Sequence, residues 1–338
     1  MTTMKALVFE APKQAKVKEV PYPKPKAGEI TIKVENVGIC GTDIHIFEGE
    51  FISPYPIIPG HEFAGTVYEV GEGVSGFQVG ERVSADPTLY CGECPFCLTK
   101  RTNQCANWGA LGNTVNGSMA EFVAVPARNA VKLPDDMTFA EGAFIEPMAC
   151  VVHAMNRLSL QVGDRVILFG AGAMGQQLVQ ALVQAGASEL VVVDVSEKKL
   201  ETAVARGATK GVLSRDIEQV LHAGEYPHGF DVVVDATGIP AVIEQALNYM
   251  GPASKYLQFG VTATDSFIRL SPFQLYNKDW TMIGSMAINQ TFLPAFHWLK
   301  EKRIEVASLI SRQISLEEAA DFFEQPKDPH WFKVQLKL

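Results

Sequence analysis

The sequence predicts an α/β protein in which a doubly wound parallel-sheet domain is inserted into an irregular β-rich domain. Three observations lead there. Up to about Val125 the apolar residues alternate in short runs between glycines and prolines, the pattern of half-buried antiparallel strands. From Asp164 onward strand-like and helix-like segments take turns, as a parallel sheet requires. The segment after residue 288 is too short for a domain of its own, so the chain is expected to return to the first one. A chain of 338 residues is in any case longer than one core usually supports. The boundaries read this way are 1–148 plus 289–338 for the β-rich domain and 149–288 for the inserted one.

Taken in order, the first strands carry Ala6 and Val8, then Val17 and Val20, then Ile30, Ile32 and Val34, with Pro21, Pro23, Pro25 and Gly28 between them. Further strands are expected over Phe63–Val70, Arg82–Ala85 and Ala120–Val125, with turns at Gly71, Gly73, Gly76 and Gly80. Glu146-Pro147 opens a helix, with Pro147 in the first turn where its missing N–H costs nothing. In the inserted domain an apolar strand from Arg165 to Phe169 runs into Gly170-Ala-Gly172-Ala-Met-Gly175 and a helix. Strands near Leu190–Asp194, Gly207–Leu213, Asp231–Asp235, Tyr256–Val261 and Trp280–Ser285 complete six. The closing segment offers a helix around Thr291–Lys302, a second after Ser315 with a capping box at its start, and a strand from Lys333 to Lys337.

Composition bounds the chemistry. With 47% apolar and 20% charged residues the chain has material for large cores. A net charge of −9 without a basic tract argues against nucleic acid or an anionic membrane as partner and favours a small molecule. The amino terminus has too short an apolar run for a secretion signal, and no run is long enough to span a bilayer, so a cytoplasmic location is expected. Six cysteines stand at 40, 91, 94, 97, 105 and 150, four of them bunched. That clustering points to metal rather than disulfides.

Cys91, Cys94, Cys97 and Cys105 have the spacing of four thiolates closing around one zinc ion, a site with no open position and therefore structural. The rival iron–sulfur run would continue with a three-residue gap where this chain has seven. Cys40, His61 and Glu62 supply a thiolate, an imidazole and a carboxylate, the donor types of a catalytic zinc that keeps one place open. Taken singly, Cys40 is more often a small buried hydrophobe, His61 more often a satisfied core or surface histidine, and Glu146 an acid facing a helix dipole. Gly170, Gly172 and Gly175 stand between a strand and a helix, and Asp194 ends the next strand 19 residues later, which is the context of a dinucleotide-binding turn. Ala173 and Met174 within the turn, Lys199 soon after Asp194, and Thr237 and Val261 near later strand ends are the other expected cofactor residues. Asp194 favours NAD, because a carboxylate binds the ribose 2′-OH and repels a 2′-phosphate; Lys198 and Lys199 pull the other way.

At these residues the chain resembles the zinc-dependent medium-chain dehydrogenases/reductases, over essentially its whole length. The most specific element is Gly60-His61-Glu62-x-x-Gly65, continued by Gly71 and Val74, with Cys40-Gly-Thr-Asp, the four-cysteine lobe and the glycine turn in support. The resemblance implies a GroES-like β domain enclosing a Rossmann domain, an active site in the cleft between them, and two zinc ions per chain. It implies Cys40 and His61 as catalytic zinc ligands, completed by Glu62 or Glu146. Thr42 matches a relay hydroxyl, and His45 is similar to the histidine that passes the proton to solvent, as an imidazole can near neutral pH. Zinc would polarise the alcohol as a Lewis acid while hydride leaves for the nicotinamide. The Glu146-Pro147 pair is similar to the polyol, butanediol and threonine dehydrogenase branch. A sugar alcohol oxidised to a ketose is the expected substrate, with threonine, vicinal diols or a polyol phosphate as alternatives and Phe47, Phe51 and Trp108 as candidate pocket walls. A catalytically silent zinc- and nucleotide-binding scaffold is the reading from another class. A homodimer or homotetramer is implied, through edge strands of the nucleotide domain.

Overall fold

The structure is a computed structural model that describes residues 2–221, 225–326 and 328–338. Its strands in chain order are β1 (Thr3–Ala11), β2 (Gln14–Pro21), β3 (Glu29–Gly38), β4 (Glu62–Val70), β5 (Arg82–Ala85), β6 (Thr88–Leu89), β7 (Gly109–Ala110), β8 (Phe122–Pro126) and β9 (Ala130–Lys132). Then come β10 (Arg165–Phe169), β11 (Glu189–Asp194), β12 (Lys210–Leu213), β13 (Phe230–Asp235), β14 (Met250–Gln258), β15 (Thr281–Gly284), β16 (Ile310–Ile314) and β17 (Lys333–Lys337). The chain divides into two compact units, Met1–Ala149 with Ile288–Leu338, and Cys150–Ala287.

The first unit is the β-rich one. β1 and β2 pair antiparallel with Leu7 opposite Val17, and a larger sheet runs β16-β17-β3-β4-β5-β9, with β8 also on β3. β3 is its hub, and its apolar residues Ile30, Ile32, Val34 and Val37 are buried. At its end Gly38 faces Glu62 of β4 on one side and Gln335 of β17 on the other. This junction brings residues from three distant parts of the sequence to one place. Gly38 has no room for a side chain, since a Cβ there would lie 2.1 Å from Glu62 Oε2. One pairing departs from the antiparallel expectation: β16 and β17 run parallel. The helix Leu316–Glu324 that joins them starts in the expected capping box, with Glu318 Oε2 accepting from the Ser315 N–H at 2.7 Å.

The second unit is a six-stranded sheet of order β12-β11-β10-β13-β14-β15, all parallel. Helices on both faces bury runs such as Val232-Val233-Val234 completely, which is why these strands read as continuous apolar stretches in the sequence. The winding reverses between β10 and β13, and a parallel sheet leaves its ligand crevice at the carboxyl ends of such a pair. The helix Pro272–Asn277, directly before the edge strand β15 in the chain, exposes Phe273 and Tyr276. No helix among the described residues is long and apolar enough to cross a membrane.

A candidate metal centre and a candidate nucleotide crevice

Cys40 stands at the N-cap of the helix Gly41–Glu48, directly after β3. Asp43 on that helix is fully buried and holds the local geometry. Its Oδ2 accepts the Cys40 N–H at 2.8 Å and its Oδ1 accepts the Gly60 N–H at 3.1 Å, so the loop bearing His61 is tied to the helix bearing Cys40. His61 Nδ1 lies 3.6 Å from the same Oδ1. Glu62 opens β4, and donor atoms of Cys40, His61 and Glu62 all lie within 4.8 Å of one another. The fold thus gathers three of the residues named from the sequence. Glu146, buried in the first turn of the helix Ile145–Leu158, is not part of that group, but it is close enough to act on His61 and Cys40 electrostatically.

Lys333 is not legible in the sequence as a site residue. Its ammonium, 271 residues from Glu62 along the chain, donates to both Glu62 oxygens at 2.8 Å and to the Ile39 carbonyl at 3.1 Å. Nothing in the alternation of β17 separates this lysine from a surface one. Asp43, by contrast, stands within the Cys-Gly-Thr-Asp motif.

The protonation pattern shows what the cluster needs. Burial pushes the Cys40 thiol up to about 12, with the Glu62 charge adding and Lys333 opposing. Burial likewise pushes Glu146 up to about 8, against the attraction of His61 and with Glu62 and Cys40 adding. Burial also raises Asp43, with His61 opposing. His61 is raised too: burial would lower it, but Asp43, Glu146 and Glu62 outweigh that. A thiol and a carboxyl that retain protons beside two further acids form a site short of positive charge. A divalent cation supplies it, and the thiolate, imidazole and carboxylate donors suit Zn²⁺.

Thr42 Oγ1 lies 3.7 Å from Cys40 Sγ. One turn along the same helix, His45 is held by Glu50, Nδ1 to Oε2 at 2.9 Å, with its side chain 32% exposed. Of the candidate pocket walls, Phe47 is core: it is buried, with its ring 5.5 Å from Phe9 and 5.7 Å from Phe323. Phe51 packs against the same core as a partly buried residue, and Trp108 is half-buried.

The four-cysteine cluster has the geometry for a zinc ion. Four sulfurs around one zinc at about 2.3 Å stand about 3.8 Å apart; here Cys91–Cys97, Cys94–Cys105 and Cys91–Cys105 are separated by 4.0, 3.9 and 3.5 Å. Backbone N–H groups of Cys91, Cys97 and Asn107 point at sulfurs of the set. Hydrogen bonds from the backbone, of Ala106 first, hold Cys94 down at about 6. The lobe is anchored by Asn289, whose Oδ1 accepts from both the N–H and the hydroxyl of Thr102 at 3.1 Å.

In the second unit the glycine turn has the expected division of labour. Gly170 takes φ +100°, Gly175 comes so near that a Cβ would lie 2.0 Å from the Gly170 oxygen, and a Cβ on Gly172 would meet nothing within 4 Å, leaving its backbone open to a ligand. Asp194 ends β11 with Oδ2 accepting the Ala171 N–H at 2.7 Å and Oδ1 accepting the Ser196 N–H at 2.9 Å. Lys199 comes next in the helix Glu197–Ala205. At the end of β13 the buried Asp235 accepts from the N–H and hydroxyl of Thr237, the Gly238 N–H and the Gln258 amide, which orders the loop next to the glycine turn. Val261 is exposed beyond the end of β14. Ala173 is buried and Met174 half-buried at the start of the helix Ala173–Gln184.

Comparison with known proteins gives a consistent picture. Residues 26–135 match the alcohol dehydrogenase GroES-like domain and residues 173–301 the zinc-binding dehydrogenase domain. The chain is 30% identical to D-arabinitol dehydrogenase 1 of Uromyces fabae, over 99% of this chain and 97% of that one. It is 32% identical to D-altritol 5-dehydrogenase of Agrobacterium fabrum, over 98% and 99%. A zinc-binding dehydrogenase from Sinorhizobium meliloti solved with NADP superposes with a TM-score of 0.95 at 32% identity, covering 100% of both chains. An alcohol dehydrogenase of Escherichia coli solved with NADH superposes at 0.93 and 29%, again over 100% of both. With its GroES-like and Rossmann domains and its polyol dehydrogenase relatives, the chain belongs to the zinc-dependent medium-chain dehydrogenases/reductases, in the polyol dehydrogenase branch.

Proposed function

We propose that the protein oxidises a secondary alcohol of a sugar alcohol to the ketose, with NAD as hydride acceptor. The observation that carries this is the composition of the metal centre. Cys40, His61 and Glu62 converge with buried Glu146 nearby, and the one lysine among them is already bound to Glu62. The several hydroxyls of a polyol find hydrogen-bond acceptors in the carboxyl groups beside the ion that Cys40, His61 and Glu62 would hold.

Cys40, His61 and Glu62 would hold a zinc ion, which when bound supplies Lewis-acid activation of the substrate hydroxyl. The chain's own groups do the rest. Asp43 fixes Cys40 and the His61 loop, Lys333 orients Glu62, and Glu146 accepts a hydrogen bond from a substrate hydroxyl beside the reacting carbon. The hydroxyl proton leaves through Thr42 Oγ1 toward His45, whose ring Glu50 holds at partial exposure. The glycine turn from Gly170 to Gly175 and Asp194 would hold the dinucleotide, whose nicotinamide would supply the hydride acceptor. The four-cysteine lobe would hold a second, structural zinc.

NAD is favoured over NADP by Asp194, whose two oxygens are each fixed by a backbone N–H and so present a rigid negative charge to a ribose 2′ position. Asp194→Ala should weaken NADH by at least about tenfold and NADPH much less, read by nicotinamide fluorescence. A second copy of the chain is the proposed partner, joined along the edge strand β15 and the exposed apolar side chains of the helix before it. The deciding experiment follows nicotinamide reduction with sugar alcohols, their phosphates, 2,3-butanediol and threonine, with and without a chelator. Chelator-sensitive turnover on free sugar alcohols supports the reading. Turnover confined to the phosphates, to butanediol or to threonine rejects the substrate class, and turnover untouched by removal of zinc rejects the mechanism.

A further inference from the structure

Gln176 comes directly after the last glycine of the phosphate-binding turn and is 0% exposed. A glutamine amide placed there without partners would be costly, so what it binds is informative. Its Nε2 donates to the Ala171 carbonyl at 3.0 Å, inside the turn, and to the Lys199 carbonyl at 2.9 Å, in the helix Glu197–Ala205. Asp194 ties the same two segments from its own side, through the Ala171 and Ser196 N–H groups. Ala171 is therefore held by both its N–H and its carbonyl, and the start of the helix that carries Lys198 and Lys199 is held against the glycine turn at two points.

We propose that Gln176 is a positioning residue for cofactor selection: by tying the Ala171 carbonyl to the Lys199 carbonyl it fixes the width of the ribose pocket beside Asp194 and denies a 2′-phosphate access to Lys198 and Lys199. The inference rests on the NAD reading above and deepens it. A 2′-phosphate needs both room and a cation. Lys198 and Lys199 lie in the first turn of the helix that the Gln176 link holds, so selectivity depends on where that helix start stands as well as on the Asp194 charge. Once the Gln176 link is removed, the helix start is held to the turn through Asp194 alone, so it can shift outward and widen the space beside the ribose.

The test titrates wild-type protein, Gln176→Met and Gln176→Glu separately with NADH and NADPH by nicotinamide fluorescence, with thermal melting in parallel. Gln176→Met, which keeps the length and removes both donors, should weaken NADH about tenfold and NADPH less, so that the preference falls about fivefold or more. Equal weakening of the two cofactors, or no change in either, overturns the proposal, because a merely structural role would not distinguish them. Gln176→Glu keeps the shape with at most one proton to donate, and should move the preference in the same direction if the methionine variant does not fold. A wild-type protein that prefers NADPH would overturn the NAD reading itself, a result separable from any behaviour of the variants.

Discussion

The carboxylate of Glu62 and the ammonium of Lys333 are both almost completely buried, with side chains 1% and 5% exposed. Such a pair is poor evidence of net stabilisation, but removing one member leaves an uncompensated charge and costs about 3–5 kcal/mol. Lys333→Met should therefore destabilise the protein by roughly that amount when zinc has been stripped, and by less when zinc is bound, since the ion supplies part of the missing charge. Denaturant unfolding with and without chelator measures the difference. An equal loss in both states would separate Lys333 from the metal centre. Cys40→Ser should lower bound zinc by one ion per chain while leaving NADH binding intact; unchanged zinc content with full turnover would remove Cys40 from the ligand set. At this scale the sequence is informative wherever chemistry sits in a local motif. Cys40, His61 and Glu62 can be named because Cys-Gly-Thr-Asp and Gly-His-Glu are short strings, while Lys333 is joined to them only by strand pairing.

At the scale of elements, the strands and helices that position the sites arise from patterns that span few residues. The turn from Gly170 to Gly175 is readable because its three glycines answer three separate steric demands, and the helix after Ser315 because its capping box is local. Nothing in the sequence announces β16. Its residues Ile-Ser-Arg-Gln-Ile are apolar only at the ends, and it forms by pairing with β17 rather than by any preference of its own. The four-cysteine lobe has little hydrophobic support: of its four cysteines only Cys97 and Cys105 are buried, and Leu98 is 71% exposed. Its order should then depend on metal. Cys94→Ser should also cost one zinc, but unlike Cys40→Ser it should open the segment 88–106 to proteolysis, detected by limited digestion. Equal resistance of the two variants would show that the lobe stands without its ion.

For the whole molecule, the governing feature is the interleaving of the chain: Ile288–Leu338 groups with Met1–Ala149, and a segment of that length is too short to bury a core of its own. Chain length makes this much legible; the strand against which the returning segment pairs is set by tertiary structure and is not. Self-association belongs to this scale as well. Phe273 and Tyr276, on the helix directly before the edge strand β15, are 69% and 84% exposed. Replacing both by aspartate should convert an oligomer to monomer in light scattering while thermal stability of the second unit's core is retained; an unchanged mass would place the interface elsewhere. The return of the chain also imposes an order of events during synthesis. Cys40, His61 and Glu62 emerge from the ribosome early, whereas the lysine that neutralises Glu62 is made 271 residues later. Until then the nascent donor cluster carries one more negative charge than the finished one. The charge pairing of the donor cluster is therefore completed only once β17 has been made and has paired with β3.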